Sequence, residues 1–178
     1  WGFPFPDGLA QGYYQFDLFV AWDVREYRQT ISVILCPERT YLPSALIGNG
    51  KRAGIAISLY GLRSQRNWGV GDFTDLKAFI RWAIESLHVE VIGLNPLHAI
   101  SNRQPYNISP YYPSSRLYRN FIYLDIEAME DYRSCSEARA LVLADRTQKL
   151  LAELRAAELV QYEQVAAVKL QVLKIIFE

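Results

Sequence analysis

Reactive and switchable side chains are scarce in this sequence. It holds two cysteines and two histidines in 178 residues, and its 19 basic side chains are matched by 19 acidic ones. Cys36 and Cys135 lie far apart without metal-ligand spacing, so they read as unpaired thiols of a reducing, cytoplasmic setting, with no disulfide frame and no metal called for. Zero net charge and the lack of like-charge blocks remove the field that would draw the chain to nucleic acid or to an anionic membrane. No apolar run approaches the roughly 18 residues of a membrane span, and Trp1 does not open the basic-then-apolar pattern of a secretory leader. A start without Met reads as a piece excised from something longer. His88 and His98 sit in no Ser-His-Asp or His-Glu-x-x-His setting, and Trp68-Gly69-Val70-Gly71-Asp72 is not a G-x-G-x-x-G phosphate loop, so no cofactor is implied. Its two glycines read as a structural turn. No internal repeat or low-complexity tract is present.

What is present is ample core material, with 51% hydrophobic residues. Pro4 and Pro6 make residues 1–10 a lead-in and not a central strand. Residues 12–20 and 29–37 read as strands joined by the polar stretch 23–28; two strands make no stable sheet alone, so residues 1–48 read as the end of a small β-domain. The Pro/Gly/Asn-containing stretch 43–51 places a boundary near residue 48. Residues 54–60 read as a buried strand, Asp72 as an N-cap reinforced by Asp75, residues 73–87 as an amphipathic helix and residues 89–94 as a second buried strand, together a βαβ unit within 49–132. Residues 99–119 hold three prolines and no helical period, so residues 121–126 read as a short satellite strand inside an elaborated loop. Apolar stripes predict helices over 134–158, capped by Ser134 or Ser136, and over 161–178, which form a helical insertion at 133–178. The fold class is α/β.

The informative loop follows the second buried strand: Asn95-Pro96-Leu97-His98, then Ser109-Pro110-Tyr111-Tyr112-Pro113-Ser114-Ser115-Arg116. Polar, aromatic loops at the carboxyl ends of parallel strands are where α/β proteins keep their chemistry. Tyr, Asn, Ser and Arg supply flat apolar faces, neutral donors and acceptors, and one fixed fork of donors. That set suits a polyhydroxylated ligand better than a phosphate or a metal. Prolines 105, 110 and 113 stiffen the backbone around Tyr106, Tyr111 and Tyr112, so a ring held there is a preset platform; clustered tyrosines equally serve to roof a core. A lone histidine is more often structural, and His88, at a helix end, stays so. Arg116 reads as a residue that fixes the loop.

These residues also carry a resemblance. Arg63-Ser64, Arg66 through Phe73, Gly93 through His98, Ser109 through Arg116, Asn120 and Tyr123-Leu124-Asp125 resemble the 4-α-glucanotransferases called amylomaltases. Residues 37–43 and 162–170 are similar to weaker patterns of that family; Gln161-Tyr162 departs from its usual Asp-Tyr. The resemblance implies the first two strands of a (β/α)8 TIM barrel plus a helical insertion. It implies an α-1,4-glucan or maltooligosaccharide as partner, alongside the remainder of the chain's own barrel. Tyr111 matches the tyrosine beside the scissile bond, and Ser109, Tyr106, Asn95 and His98 join it as candidate substrate-binding residues. Retaining transfer needs two carboxyl groups about 5 to 5.5 Å apart, which the family draws from later barrel strands. Asp72 and Asp75 read as helix-start residues, Glu90 opens a strand at the wrong end, and Asp125 and Glu127 fall in the satellite strand. No catalytic residue is therefore expected in this chain. Rival readings are another hydrolase or isomerase of the α-amylase superfamily and a non-catalytic glucan-binding module.

Overall fold

Strand β1, Gly12–Trp22, turns at Asp23 and Val24 and pairs along its whole length with β2, Arg25–Leu35. Asp23 takes φ 56°, a left-handed conformation that Asp tolerates, so two residues suffice for the reversal. The stretch 23–28, expected as a connection, is thus mostly strand. Cross-strand pairs explain why: Asp17 accepts from Arg28 at 2.9 Å and Thr30 at 2.7 Å on one face, while Phe16 opposes Ile31 on the other. The computed structural model describes residues 8–42, 52–103 and 107–178. It divides into two compact units, Trp1–Gly50 and Lys51–Glu178, with the hairpin in the first. The boundary expected near residue 48 lies outside the described residues.

The second unit opens with β3, Gly54–Ile57, followed by helix α1, Phe73–Leu87, and by β4, Val91–Leu94, which pairs parallel to β3. The α1 boundary is set locally. Asp72 accepts from the amides of Thr74 and Asp75, and the Asp75 carboxylate accepts from the Asp72 amide, a reciprocal box that satisfies free donors of the first turn. The helix stops at His88, φ 51°, whose amide returns to Ile84. That fits the structural role expected of this histidine. Strand β3 is shorter than the predicted 54–60, because Leu59–Gly61 winds into a 3-10 turn that buries Leu59.

Beyond β4 the short strand β5, His98–Ala99, pairs antiparallel with β6, Ser115–Arg119. The satellite strand expected at 121–126 is not there: Phe121–Tyr123 and Ile126–Ala128 are 3-10 turns. Asn120 and Asp125 each accept from a backbone amide two or three residues on, and such local bonds compete with strand pairing.

The helix expected over 134–158 is three: α2, Glu130–Ser134; α3, Ser136–Leu143; and α4, Asp145–Ala156. Cys135 and Ala144 adopt extended backbone at the two breaks, and the Cys135 thiol, not Ser134 or Ser136, accepts from the Ala138 amide at 3.5 Å. Helix α5, Tyr162–Phe177, follows. The core lies where these helices meet the loops after β3 and β6, around Leu59, Val70, Ile122, Leu151, Val165 and Val172, all fully buried. Residues 133–178 therefore share one unit and one core with the βαβ segment. The turn before α1 fits into it closely. A Cβ on Gly71 would stand 2.1 Å from the Leu59 carbonyl oxygen, and one on Gly69, φ 83°, 2.7 Å from that of Leu154.

Candidate functional site

The carboxyl ends of β3 and β4 meet at Asn95. Its amide donates to the Ile57 carbonyl at 3.4 Å, and its side-chain Nδ2 donates to Ser58 Oγ at 3.0 Å and to Tyr60 Oη at 3.2 Å. Asn95 is thus held by both strand ends, and its Oδ1 has no hydrogen-bond donor among the described residues. From there the chain runs through Pro96 into an arm made by β5, β6 and the loop between them.

A pair of amides closes the neck of this arm. Asn102 Nδ2 donates to Asn120 Oδ1 at 3.0 Å and Asn120 Nδ2 donates back to Asn102 Oδ1 at 2.8 Å, with both side chains buried. Beyond the neck, Ser109 O accepts from the Tyr112 amide at 3.2 Å, a turn that displays Tyr111 and Tyr112 at 69% and 78% exposure. Neither ring roofs a core. Tyr118 and Leu117 of β6 are exposed on the same arm.

His98 sits in β5 opposite Arg119, and its buried Nδ1 has no partner among the described residues. The structure brings Asn95 and His98 onto one short segment at the strand ends and puts Ser109 and Tyr111 at the arm's turn. No hydrogen bond among the described residues ties either of the latter to Asn95. Tyr106 lies outside the described residues. Arg116, expected to fix the loop, is exposed and makes no hydrogen bond or ion pair among them.

A charge cluster that sequence reading missed joins the loop before α1 to the loop after β6. Arg66 meets Asp72 at 2.6 Å, Asp75 at 3.0 Å and Asp125 at 2.7 Å, while Thr74 Oγ1 donates to Asp125 at 2.5 Å. Burial works to raise the Asp75 pKa, but hydrogen bonds from Asn67 and Ser64 and the Arg66 charge outweigh it and lower it. Burial likewise lowers the Arg66 pKa, and the hydrogen bond to Asp72 with the surrounding carboxylates overcomes this and raises it. Trp68 Nε1 donates to Glu127 at 2.8 Å. Asp72, Asp75, Asp125 and Glu127 are all engaged in holding loops together.

Beside the cluster, Lys169 of α5 is 1% exposed and donates to the carbonyls of Ile122 at 2.5 Å and Leu124 at 2.6 Å. Burial pushes its pKa down to about 8, against the pull of Asp72 and Asp125. The one sequence signal for it is its place next to Val168 inside an apolar stripe.

A family model described as 4-alpha-glucanotransferase matches residues 57–178, the whole of the surface just described. The chain belongs to this family. It is 35% identical over 170 residues to a 4-alpha-glucanotransferase of Haemophilus influenzae, covering 96% of this chain and 24% of that protein. It is 33% identical over 136 residues to one of Mycobacterium tuberculosis, covering 72% of this chain and 18% of the relative. The crystal structure of amylomaltase from Corynebacterium glutamicum superposes with a TM-score of 0.65 at 27% identity, over 98% of this chain and 24% of that one. The chain therefore spans about a quarter or less of the family members it matches. No helix among the described residues is long and apolar enough to cross a membrane.

Proposed function

We propose that this chain is the substrate-positioning part of a retaining 4-α-glucanotransferase, which moves α-1,4-glucan segments between maltooligosaccharides. The observation that carries the reading is Asn95, pinned by Ser58 and Tyr60 at the carboxyl ends of two parallel strands, within the residues that match the family. In this reading β3 and β4 are the first two strands of a (β/α)8 barrel, and 133–178 is an insertion into it. The remainder of the barrel covers the exposed Trp82, Ile84 and Leu87 of α1. Tyr111 offers its ring to a glucose face, and Asn95, His98, Ser109 and Tyr106 exchange hydrogen bonds with hydroxyls. The two carboxyl groups that cleave and re-form the glycosidic bond come from outside this chain, since Asp72, Asp75 and Asp125 are paired with Arg66 and Glu127 holds Trp68. The free thiols Cys36 and Cys135 fit a cytoplasmic enzyme.

Maltotriose incubated with the full-length enzyme and resolved by chromatography tests the reading. Transfer gives a ladder of both longer and shorter maltooligosaccharides. Shortening alone would assign a hydrolase instead, and an unchanged trisaccharide would leave only a glucan-binding module.

A further inference from the structure

Lys169 is a buried charge that the proposed reaction does not use. It shares the buried face of α5 with Val165, Val168 and Val172. Taking an ammonium out of water is costly, and a methionine of similar length would fill the same space without that cost. What offsets it lies on the loop after β6. There the Leu124 amide closes a 3-10 turn on the Phe121 carbonyl, which leaves the carbonyls of Ile122 and Leu124 to a donor from elsewhere, and Lys169 Nζ donates to both at 2.5 and 2.6 Å. Asp72, Asp125 and Asp75 favour the charged form, and Arg66 opposes it.

From this point hydrogen bonds run on to the arm. The Ile122 amide donates to Asn120 Oδ1 at 3.3 Å, and Asn120 directly follows the last residue of β6. Its own amide donates to the Leu97 carbonyl at 2.9 Å, and its side chain exchanges two bonds with Asn102, which also donates to the Ile100 carbonyl at 3.2 Å. Both feet of the arm thus lead back to Lys169. Asn102, Asn120, Ile122 and Lys169 are all buried, so water does not take the place of a lost partner.

We infer that Lys169 is a positioning residue for glucan transfer: through Ile122, Asn120 and Asn102 it fixes the angle at which the arm holds the Tyr111 ring. The inference rests on the glucan-transfer reading and extends it to a residue that touches no sugar. A nucleophilic or proton-transfer role does not fit, because the ammonium is engaged by two carbonyls and shut away from any ligand.

The test uses the full-length enzyme, unsubstituted and as Lys169→Met, Tyr111→Ala and the double variant, with maltotriose as substrate. Lys169→Met should lower kcat/KM roughly 5- to 20-fold, the scale of a misplaced contact. In the Tyr111→Ala background the same change should cost less than about 2-fold, since the ring it places is already gone. Equal losses in both backgrounds overturn the inference. Hydrogen exchange followed by mass spectrometry, without sugar, reads the mechanical link: backbone amides of residues 107–120 should exchange faster in Lys169→Met while those of α1 keep their rate, and unchanged exchange in the arm also overturns it. Asn120→Ala breaks the same chain of bonds with α5 intact and should reproduce both results, so the inference stays open to refutation if Lys169→Met does not fold. Loss of a cooperative melt in both variants would make these bonds part of the core and overturn the positioning role. If the unsubstituted enzyme makes no transfer products, the glucan-transfer reading fails by itself, and the exchange measurement still decides whether Lys169 holds the arm.

Discussion

Tyr111 and Tyr112 are neighbours with similar exposure and, in this account, different work. Replacing Tyr111 by Ala in the full-length enzyme should lower kcat/KM by about 1 to 3 kcal/mol of transition-state binding, the worth of one stacked ring plus a hydroxyl contact. Tyr112→Ala is the comparison and should change little; equal kinetic losses from both would deny Tyr111 its role. Both rings were legible from the sequence as a stiff aromatic turn, though whether they cover a core was open until the structure exposed them. Lys169 was barely legible, because its one sign, a place beside Val168 in an apolar stripe, is shared by solvated lysines at the edge of an amphipathic helix. Its consequence is a pH dependence. Folded, its pKa is about 8 against an ordinary 10.5, so the folded state binds fewer protons across that window and stability rises with pH there. Tyr123 is shifted the other way, upward from 10.0 by burial, with Tyr162 alongside it, so above pH 10 the unfolded chain loses these protons first and stability falls. Denaturant midpoints measured through both windows should trace a maximum between them. Lys169→Met should remove the rising limb, and an unaltered limb would show that another group causes it.

Among elements, those written by their own neighbours in sequence were the readable ones. Helix α1 announces itself because Asp72 and Asp75 cap it and its apolar positions recur at helical spacing, and β4 because four apolar residues lie between a helix end and Asn-Pro. Strand β6 was missed, since it depends on β5 and on the remote Asn102–Asn120 pair and not on its own polar sequence. The breaks at Cys135 and Ala144 carry no Pro or Gly to mark them; tertiary packing overrides a continuous apolar stripe there. The turn before α1 gives the clearest energetic test. Gly71→Ala should destabilise the chain by at least about 2 kcal/mol, because its Cβ would overlap the Leu59 backbone, which cannot swing aside. Gly61→Ala, whose nearest neighbour would be 4.0 Å away, should be close to neutral. Matching denaturation midpoints for the two variants would mean the turn is not seated as described.

On the scale of the whole molecule, the α/β class and the family were legible because many short motifs occur in one order along the chain, whereas the charge cluster was not. Arg66 gathers acids from positions 72, 75 and 125, and only folding brings the last of them near. In the proposed reading that cluster accounts for bond cleavage being left to other residues: its carboxylates are taken up by Arg66, Thr74 and Trp68, which join loops of this chain. Positioning without a nucleophile and an acid leaves a glycosidic bond intact. The most direct measurement is therefore chromatography of maltotriose after incubation with the purified 178-residue chain, beside a variant carrying Asp125→Asn and Glu127→Gln. Unchanged trisaccharide is expected from both; products formed by the unsubstituted chain and lost in the double amide would place the chemistry on Asp125 and Glu127 and contradict the assignment of bond cleavage to residues outside this chain.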